Sequence, residues 1–311
     1  MVGGITFLMA SFAAISQSNA KRVLAYSTIA NLGLIVTCGG IGTAEAVWAG
    51  IMLIIFHAVT KSLLFLCVGT AEHNIGSRDI EDMDGLFVRM PRLASFMLIG
   101  IAGMFLAPFG MLISKWAAMT SFVDSGNFIL VGIICFGSAV TAFYWIKWMG
   151  KLSAIVANEK NIQQDVHKEE WFVQGTLTGL TIVVCLIFPL ISMYMLVPYL
   201  EGVFGGLATS VLSSNNMIIM VVMLVVLVLL TAFCFGKTKK KIVPIYLAGV
   251  NEGDNRTYRG SMGKDVEFTL RNWHMDSYFG EKKMNLIGGI LTTAMLVIGI
   301  GVMIGTLVSL L

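Results

Sequence analysis

Charge is scarce in this sequence. Asp, Glu, Lys and Arg make up 13% of its 311 residues, against about a quarter in an ordinary soluble domain. Mean hydropathy is +0.83. A chain this apolar has too little polar surface to coat a water-soluble core, which leaves a polytopic membrane protein. The formal net charge is only +3, so no large basic or acidic face is implied. No stretch interleaves basic and aromatic residues in the manner of a nucleic-acid groove, and nucleic acid is excluded as a partner.

Paired cysteine is missing as well. Cys38, Cys67, Cys135, Cys185 and Cys234 all lie in apolar segments, none at CxxC spacing. They read as small core hydrophobes, with no iron–sulfur cluster or zinc to hold. No GxGxxG follows a strand, and there is neither a Walker loop nor HExxH. The expectation is a chain without cofactor or metal of its own, in which soluble-enzyme chemistry has nowhere to sit.

Long apolar runs are what the sequence does have. Segments 1–16, 22–42, 46–73, 93–123, 128–150, 172–197, 217–235 and 286–311 give an all-α fold of about eight spans at roughly 20 residues per crossing. Four units follow: 1–150, a helical unit containing 93–123; 151–235, a charged loop and two further spans; 236–285, a polar segment; and 286–311, a last span.

Segment 93–123 is divided by Pro108-Phe109-Gly110 into two pieces. Each is at most about 22 Å long as helix, too short to span alone. Proline removes a backbone donor and clashes with the preceding turn, so the segment reads as one crossing broken at Pro108 and Gly110. Basic residues support that parity. With one crossing there, every Lys and Arg except Lys61 and Lys115 falls at loops on one side. By the positive-inside rule that side is the cytoplasm, and the protein is multi-pass in the cell membrane. Interrupted spans are also pointers to ion sites in transporters.

Lys61 and Lys115 carry the functional reading. Lys61 lies deep in an unbroken span and Lys115 just past the break. A charge at that depth costs about 3 kcal/mol on the gentlest scale, so each should face protein or water. Snorkelling to an interface is the bland alternative. Lysine suits proton transfer because burial disfavours its charged form, whereas arginine does not deprotonate. His57 is one turn before Lys61 on the same face. Glu72, about three turns after Lys61, lies near the cytoplasmic end of the same stripe and could feed protons from inside, or simply reach water. Ser27, Asn31, Thr60 and Ser114 could hold bridging waters or bond to their own backbone. Tyr144 and Lys147 read as interfacial anchors.

The same residues carry a resemblance. Ala20-Lys21-Arg22-Val23-Leu24-Ala25-Tyr26-Ser27-Thr28, then His57-x3-Lys61-Ser62-Leu63-Leu64-Phe65-Leu66, then Pro108-Phe109-Gly110-Met111-Leu112-Ile113-Ser114-Lys115 resemble the antiporter-like membrane subunits of respiratory complex I, Mrp antiporters and membrane-bound [NiFe] hydrogenases. Gly76-Ser77-Arg78-Asp79-Ile80-Glu81-Asp82-Met83 and the stretch 246–284 are most similar to the hydrogenase branch, in particular the large ion-translocating subunit of Ech-type enzymes. The resemblance is strongest over 1–150. It implies that Lys61 is the central proton-carrying lysine, His57 its relay and Lys115 the terminal lysine on a broken helix. Leu53 stands where many complex I members have a second histidine, and Asn19 where the family has Asp. The family has two inverted five-helix repeats, and only the second is recognisable, which implies the C-terminal part of a longer protein. The expected partners are the lipid bilayer, other membrane subunits and a peripheral [NiFe]/iron–sulfur hydrogenase arm holding the metal centres. The expected function is redox-driven proton translocation. The alternatives are a sodium/proton antiporter module and a non-conducting structural subunit.

Overall fold

The computed structural model describes residues 1–105, 110–153, 161–163, 166–205, 222, 250–251, 257–259, 263–267 and 275–310. Helices dominate: α1 Val2–Ile15, α2 Ala20–Ile41, α3 Ala44–Ile75, α4 Leu86–Arg89, α5 Pro91–Phe105, α6 Gly110–Asp124, α7 Phe128–Ser153, α8 Lys168–Ile191, α9 Val197–Phe204, α10 Asp276–Phe279 and α11 Glu281–Leu310. A π-helical turn, Ser192–Leu196, joins α8 to α9. It follows Pro189, which lacks the backbone donor a regular turn needs. Among the described residues six stretches are long and apolar enough to cross a membrane: α2, α3, α5 with α6, α7, α8 with α9, and α10 with α11. At 14 residues α1 is about 21 Å long, shorter than a bilayer core. The span expected at 217–235 lies, but for residue 222, outside the described residues. The polar segment adds something the all-helical expectation did not include. Strands β1 Val250–Asn251, β2 Thr257–Arg259 and β3 Asp265–Glu267 pair antiparallel in the order β1-β2-β3.

Small residues set the closest helix crossing. Gly3 on α1 and Gly33 on α2 each lie against the other's carbonyl oxygen, leaving no room for a Cβ on either. Close backbone approach of this kind is how helices associate where lipid removes the hydrophobic drive. α3 packs against α2, α5, α6 and α8, and α1 against α2, α7 and α11. α11 lies at the edge of the bundle against α1, with Met284 buried and most of its described apolar side chains exposed. Stacked rings of Phe12 and Phe279, 4.7 Å apart, hold its neighbour α10 to α1.

Loop contacts fix which helix ends lie together. Ala20 N–H donates to Arg78 O, Gly85 N–H to Lys151 O, and Ile162 N–H to Arg89 O. Arg22 pairs with Glu281 at 3.0 Å. The starts of α2 and α11, the loop after α3 and the end of α7 therefore share one end of the bundle. At the other end, the hydroxyls of Thr43 and Ser121 meet at 2.8 Å, joining the start of α3 to the end of α6. α5 therefore begins at the first end of the bundle and α6 finishes at the other. The interruption at Pro108 itself lies outside the described residues; α5 ends at Phe105 and α6 begins at Gly110.

Candidate functional site

α3 places Lys61 far from either surface. Thr43 caps the helix by accepting from Ala46 N–H, with Glu45 favourably in the first turn. Gly76 ends it in the left-handed conformation, φ 79°. Lys61 is about 26 Å of helix rise from Ala44 and about 21 Å from Ile75. Both lysines singled out from the sequence are buried, Lys61 at 4% and Lys115 at 5% exposure. Neither reaches an interface.

Neutral oxygens and aromatic rings hold both ammoniums. Lys61 Nζ donates to Leu24 O at 3.1 Å and to Ser27 Oγ on α2, and lies 4.9 Å from the centre of the Trp145 ring. Lys115 Nζ donates to Thr141 Oγ1 at 3.2 Å and lies 5.8 Å from the centre of the Phe7 ring. Such cation–π contacts contribute up to about 2 kcal/mol when desolvated. Thr141 and Trp145 are one turn apart on α7, about 6 Å of rise. The two ammoniums thus meet α7 on adjacent turns. Among the described residues neither meets a carboxylate.

This environment suits either protonation state. A charged Lys61 donates to both Leu24 O and Ser27 Oγ. A neutral amine can accept from the Ser27 hydroxyl, which otherwise donates to Leu24 O at 2.9 Å. His57, one turn before Lys61, is buried. Among the described residues neither of its ring nitrogens has a hydrogen-bond partner, nor does Asn31 Oδ1. Tyr144 is buried at 3% exposure, inside the bundle rather than at an interface where an anchor would sit.

The remaining sequence-derived site residues lie apart from this pair. Glu72 is about 16 Å of rise beyond Lys61, in an ion cluster with Lys21 at 2.5 Å and with Arg78. An open cleft of about 480 Å³, lined by Lys21, Gly69, Glu72, His73 and Gly76, opens beside it. Gly110, the first residue of α6, is packed flat against the Phe56 ring, where a Cβ would overlap the ring carbons. Its carbonyl accepts from Ser114 Oγ at 2.9 Å. The start of α6 therefore abuts Phe56, the residue preceding His57.

Sequence reasoning missed Thr141 and Trp145, and also a polar cluster between α3 and α8. Thr70 donates to Glu170, and Gln174 donates to Thr70 Oγ1 at 2.6 Å. One signal was available. Thr141, Trp145 and Trp148 recur at helical spacing on α7, as do Glu170, Gln174, Thr178 and Thr181 on α8. That spacing marks one face but does not say what the face meets.

Residues 1–141 match the family described as NADH:quinone oxidoreductase/Mrp antiporter, TM. The chain is 34% identical over 158 residues to a Na(+)/H(+) antiporter subunit of Bacillus subtilis (strain 168), covering 47% of this chain and 20% of that protein. It is 42% identical over 111 residues to an F(420)H(2) dehydrogenase subunit of Methanosarcina mazei, covering 35% and 16%. A chain of the membrane-bound sulfane sulfur reductase, an archaeal respiratory membrane complex, superposes with a TM-score of 0.55 at 27% identity, covering 64% of this chain and 39% of that one. The chain thus spans well under half the length of these relatives. Lys61, Lys115, Ser27 and Thr141 all fall within residues 1–141, the stretch that is similar to the NADH:quinone oxidoreductase/Mrp antiporter family.

Proposed function

We propose that this chain is a proton-translocating membrane subunit of a redox-driven complex, and that Lys61, His57 and Lys115 are its handover group. The observation that carries this reading is the pair of buried ammoniums, from α3 and α6, that meet adjacent turns of α7, with no carboxylate beside either among the described residues. A fixed charge would be costly there. A charge that comes and goes is accommodated, because hydroxyls serve as donors or acceptors. Protonating Lys115 raises the cost of a proton on Lys61, so a charge arriving at one displaces a charge from the other. His57 stands one turn away, and its imidazole, with neither nitrogen partnered among the described residues, can take a proton on one nitrogen and give it from the other.

Likeness to a dehydrogenase subunit and to a respiratory membrane complex supports a redox partner. The residues 76–83 and 246–284 point to an energy-converting, Ech-type hydrogenase. In that reading a peripheral [NiFe]/iron–sulfur arm holds the metal centres, and other membrane subunits flank this one. The basic loops would face the cytoplasm. A sodium/proton antiporter module is the second reading, favoured by the Bacillus subtilis relative.

Lys61→Met in the assembled complex is the test. Proton uptake into inverted vesicles should fall about tenfold or more, the scale of a lost proton-transfer group. Unchanged uptake with intact assembly would make the chain a structural subunit. Uptake that requires sodium would favour the antiporter.

A further inference from the structure

Between α3 and α8 a buried polar face runs from the basic-loop end toward His57. It starts where Thr70 donates to Glu170 and Gln174 Nε2 donates to Thr70 Oγ1 at 2.6 Å. Gln174 is 1% exposed, and its Oε1 has no partner among the described residues. Thr178 and Thr181 follow at the same helical spacing, buried at 5% and 2%. Each donates to its own helix, to Gln174 O at 2.7 Å and to Leu177 O at 2.8 Å, which leaves both hydroxyl oxygens able to accept. On the facing helices Gly103 makes room for the end of the row. A Cβ there would lie 3.3 Å from Thr60 Oγ1 and 3.6 Å from the Thr181 methyl. Thr60 is adjacent to Lys61 and one turn from His57.

The opposite half of the same interface is closed. Phe56 and Phe188 meet edge to face, 6.2 Å between ring centres, with Gly110 pressed on Phe56. Beyond them the Trp48 indole donates to the π-turn residue Ser192 at 2.8 Å. So the polar row has an ionisable mouth at one end and an aromatic plug at the other.

We propose that the α3–α8 face is a one-sided proton inlet, entered at Glu170 and emptied at His57 and Lys61. It rests on the handover reading above. A proton leaves the Glu170 carboxyl for the Thr70 hydroxyl, whose own proton moves on to the next acceptor, and Glu170 is reprotonated from solvent. Successive side chains on one helix face are about 5–6 Å apart, the span of one bridging water, and the Gln174 oxygen is an acceptor along the row. Glu170 thus takes the entry role that its place in the sequence assigned to Glu72, which is occupied by Lys21 and Arg78.

The experiment uses the complete complex in inverted vesicles, with co-purification as the check on assembly. Glu170→Ala and Gln174→Leu should each lower proton uptake about tenfold, and formate, a small proton carrier, should restore uptake in Glu170→Ala. Glu170→Gln, which keeps the bond to Thr70, replaces Glu170→Ala if the latter fails to assemble, and it should be as slow. Glu72→Gln should stay within about twofold of the parent, as for a surface ion pair. Normal uptake in both α8 variants, with Lys61→Met inactive, overturns the inlet and leaves the handover group standing. A loss that formate does not restore assigns Glu170 a structural role and also overturns it. Normal uptake in Lys61→Met removes the handover reading, and the inlet with it.

Discussion

At the basic-loop end of the bundle Lys21 lies 2.5 Å from Glu72, and Lys151 lies 3.4 Å from Asp84. Inside the bundle Lys61 and Lys115 have hydroxyls, one carbonyl and aromatic rings instead. The same side chain is thus treated in two ways. A carboxylate beside a lysine holds the proton in place, and at an exposed site that contributes about 1 kcal/mol or less. Withholding the carboxylate from a buried lysine is costly for the ion and tolerable for the neutral amine. In the proposed reading the end of the bundle holds fixed charge and the interior conditional charge.

Arginine substitution should separate the two regions most sharply. Lys61→Arg keeps a cation that cannot be discharged, so transport should fall about tenfold or more although charge is conserved. Lys21→Arg should stay within about twofold, because an exposed ion pair asks only for a positive charge. Paired measurement of proton uptake in vesicles decides it. Equal tolerance at both positions would erase the distinction.

The acceptors come next. Ser27→Ala leaves Lys61 with Leu24 O alone, and Thr141→Val leaves Lys115 over the Phe7 ring. Hydrogen bonds to charged groups contribute about 1.5–3 kcal/mol. Transport should fall severalfold in each variant, and more in Ser27→Ala, where the hydroxyl serves both states of the amine. Thermal unfolding in detergent should show losses on the scale of one such bond. A Lys61 site indifferent to Ser27 would mean that the carbonyl suffices.

How far these features could be read from sequence depends on what fixes them. The spans of α2, α3 and α7 are matters of apolar length, and they fall within a few residues of expectation. α8 begins at Lys168 rather than 172, because Glu169 and Glu170 suit the positive end of a helix. The depth of Lys61 follows from counting residues along α3. Its partners do not. Ser27 and Trp145 meet Lys61 only because α2 and α7 pack on either side of it, and side-chain spacing within one helix carries no record of its neighbour. In sequence Glu170 is part of a charged loop, since nothing local links it to Thr70. Glu72 shares a helical stripe with Lys61, but Arg78, six residues later, folds back onto it.

Gly110→Ala probes the join between these regions and should act through stability. A methyl at that position overlaps the Phe56 ring, and overpacking of this kind costs about 1–3 kcal/mol. Trimming the ring with Phe56→Leu should recover part of the loss, and non-additivity in the double variant is the measurement. Additive losses would mean that α6 shifts away from Phe56 instead.

Glu72→Gln should have the smallest effect. It removes the carboxylate from Lys21 and Arg78, both substantially exposed, with side chains 40% and 57% accessible. Surface ion pairs of this kind contribute little, and salt screens them over about 8 Å at physiological ionic strength. The change in unfolding temperature should therefore shrink as salt is raised, and proton uptake should stay within about twofold at every salt concentration. A large, salt-independent loss of uptake would instead place Glu72 on the proton path. It would show that a carboxylate held between two cations still titrates during turnover, and so dissolve the boundary between fixed and conditional charge.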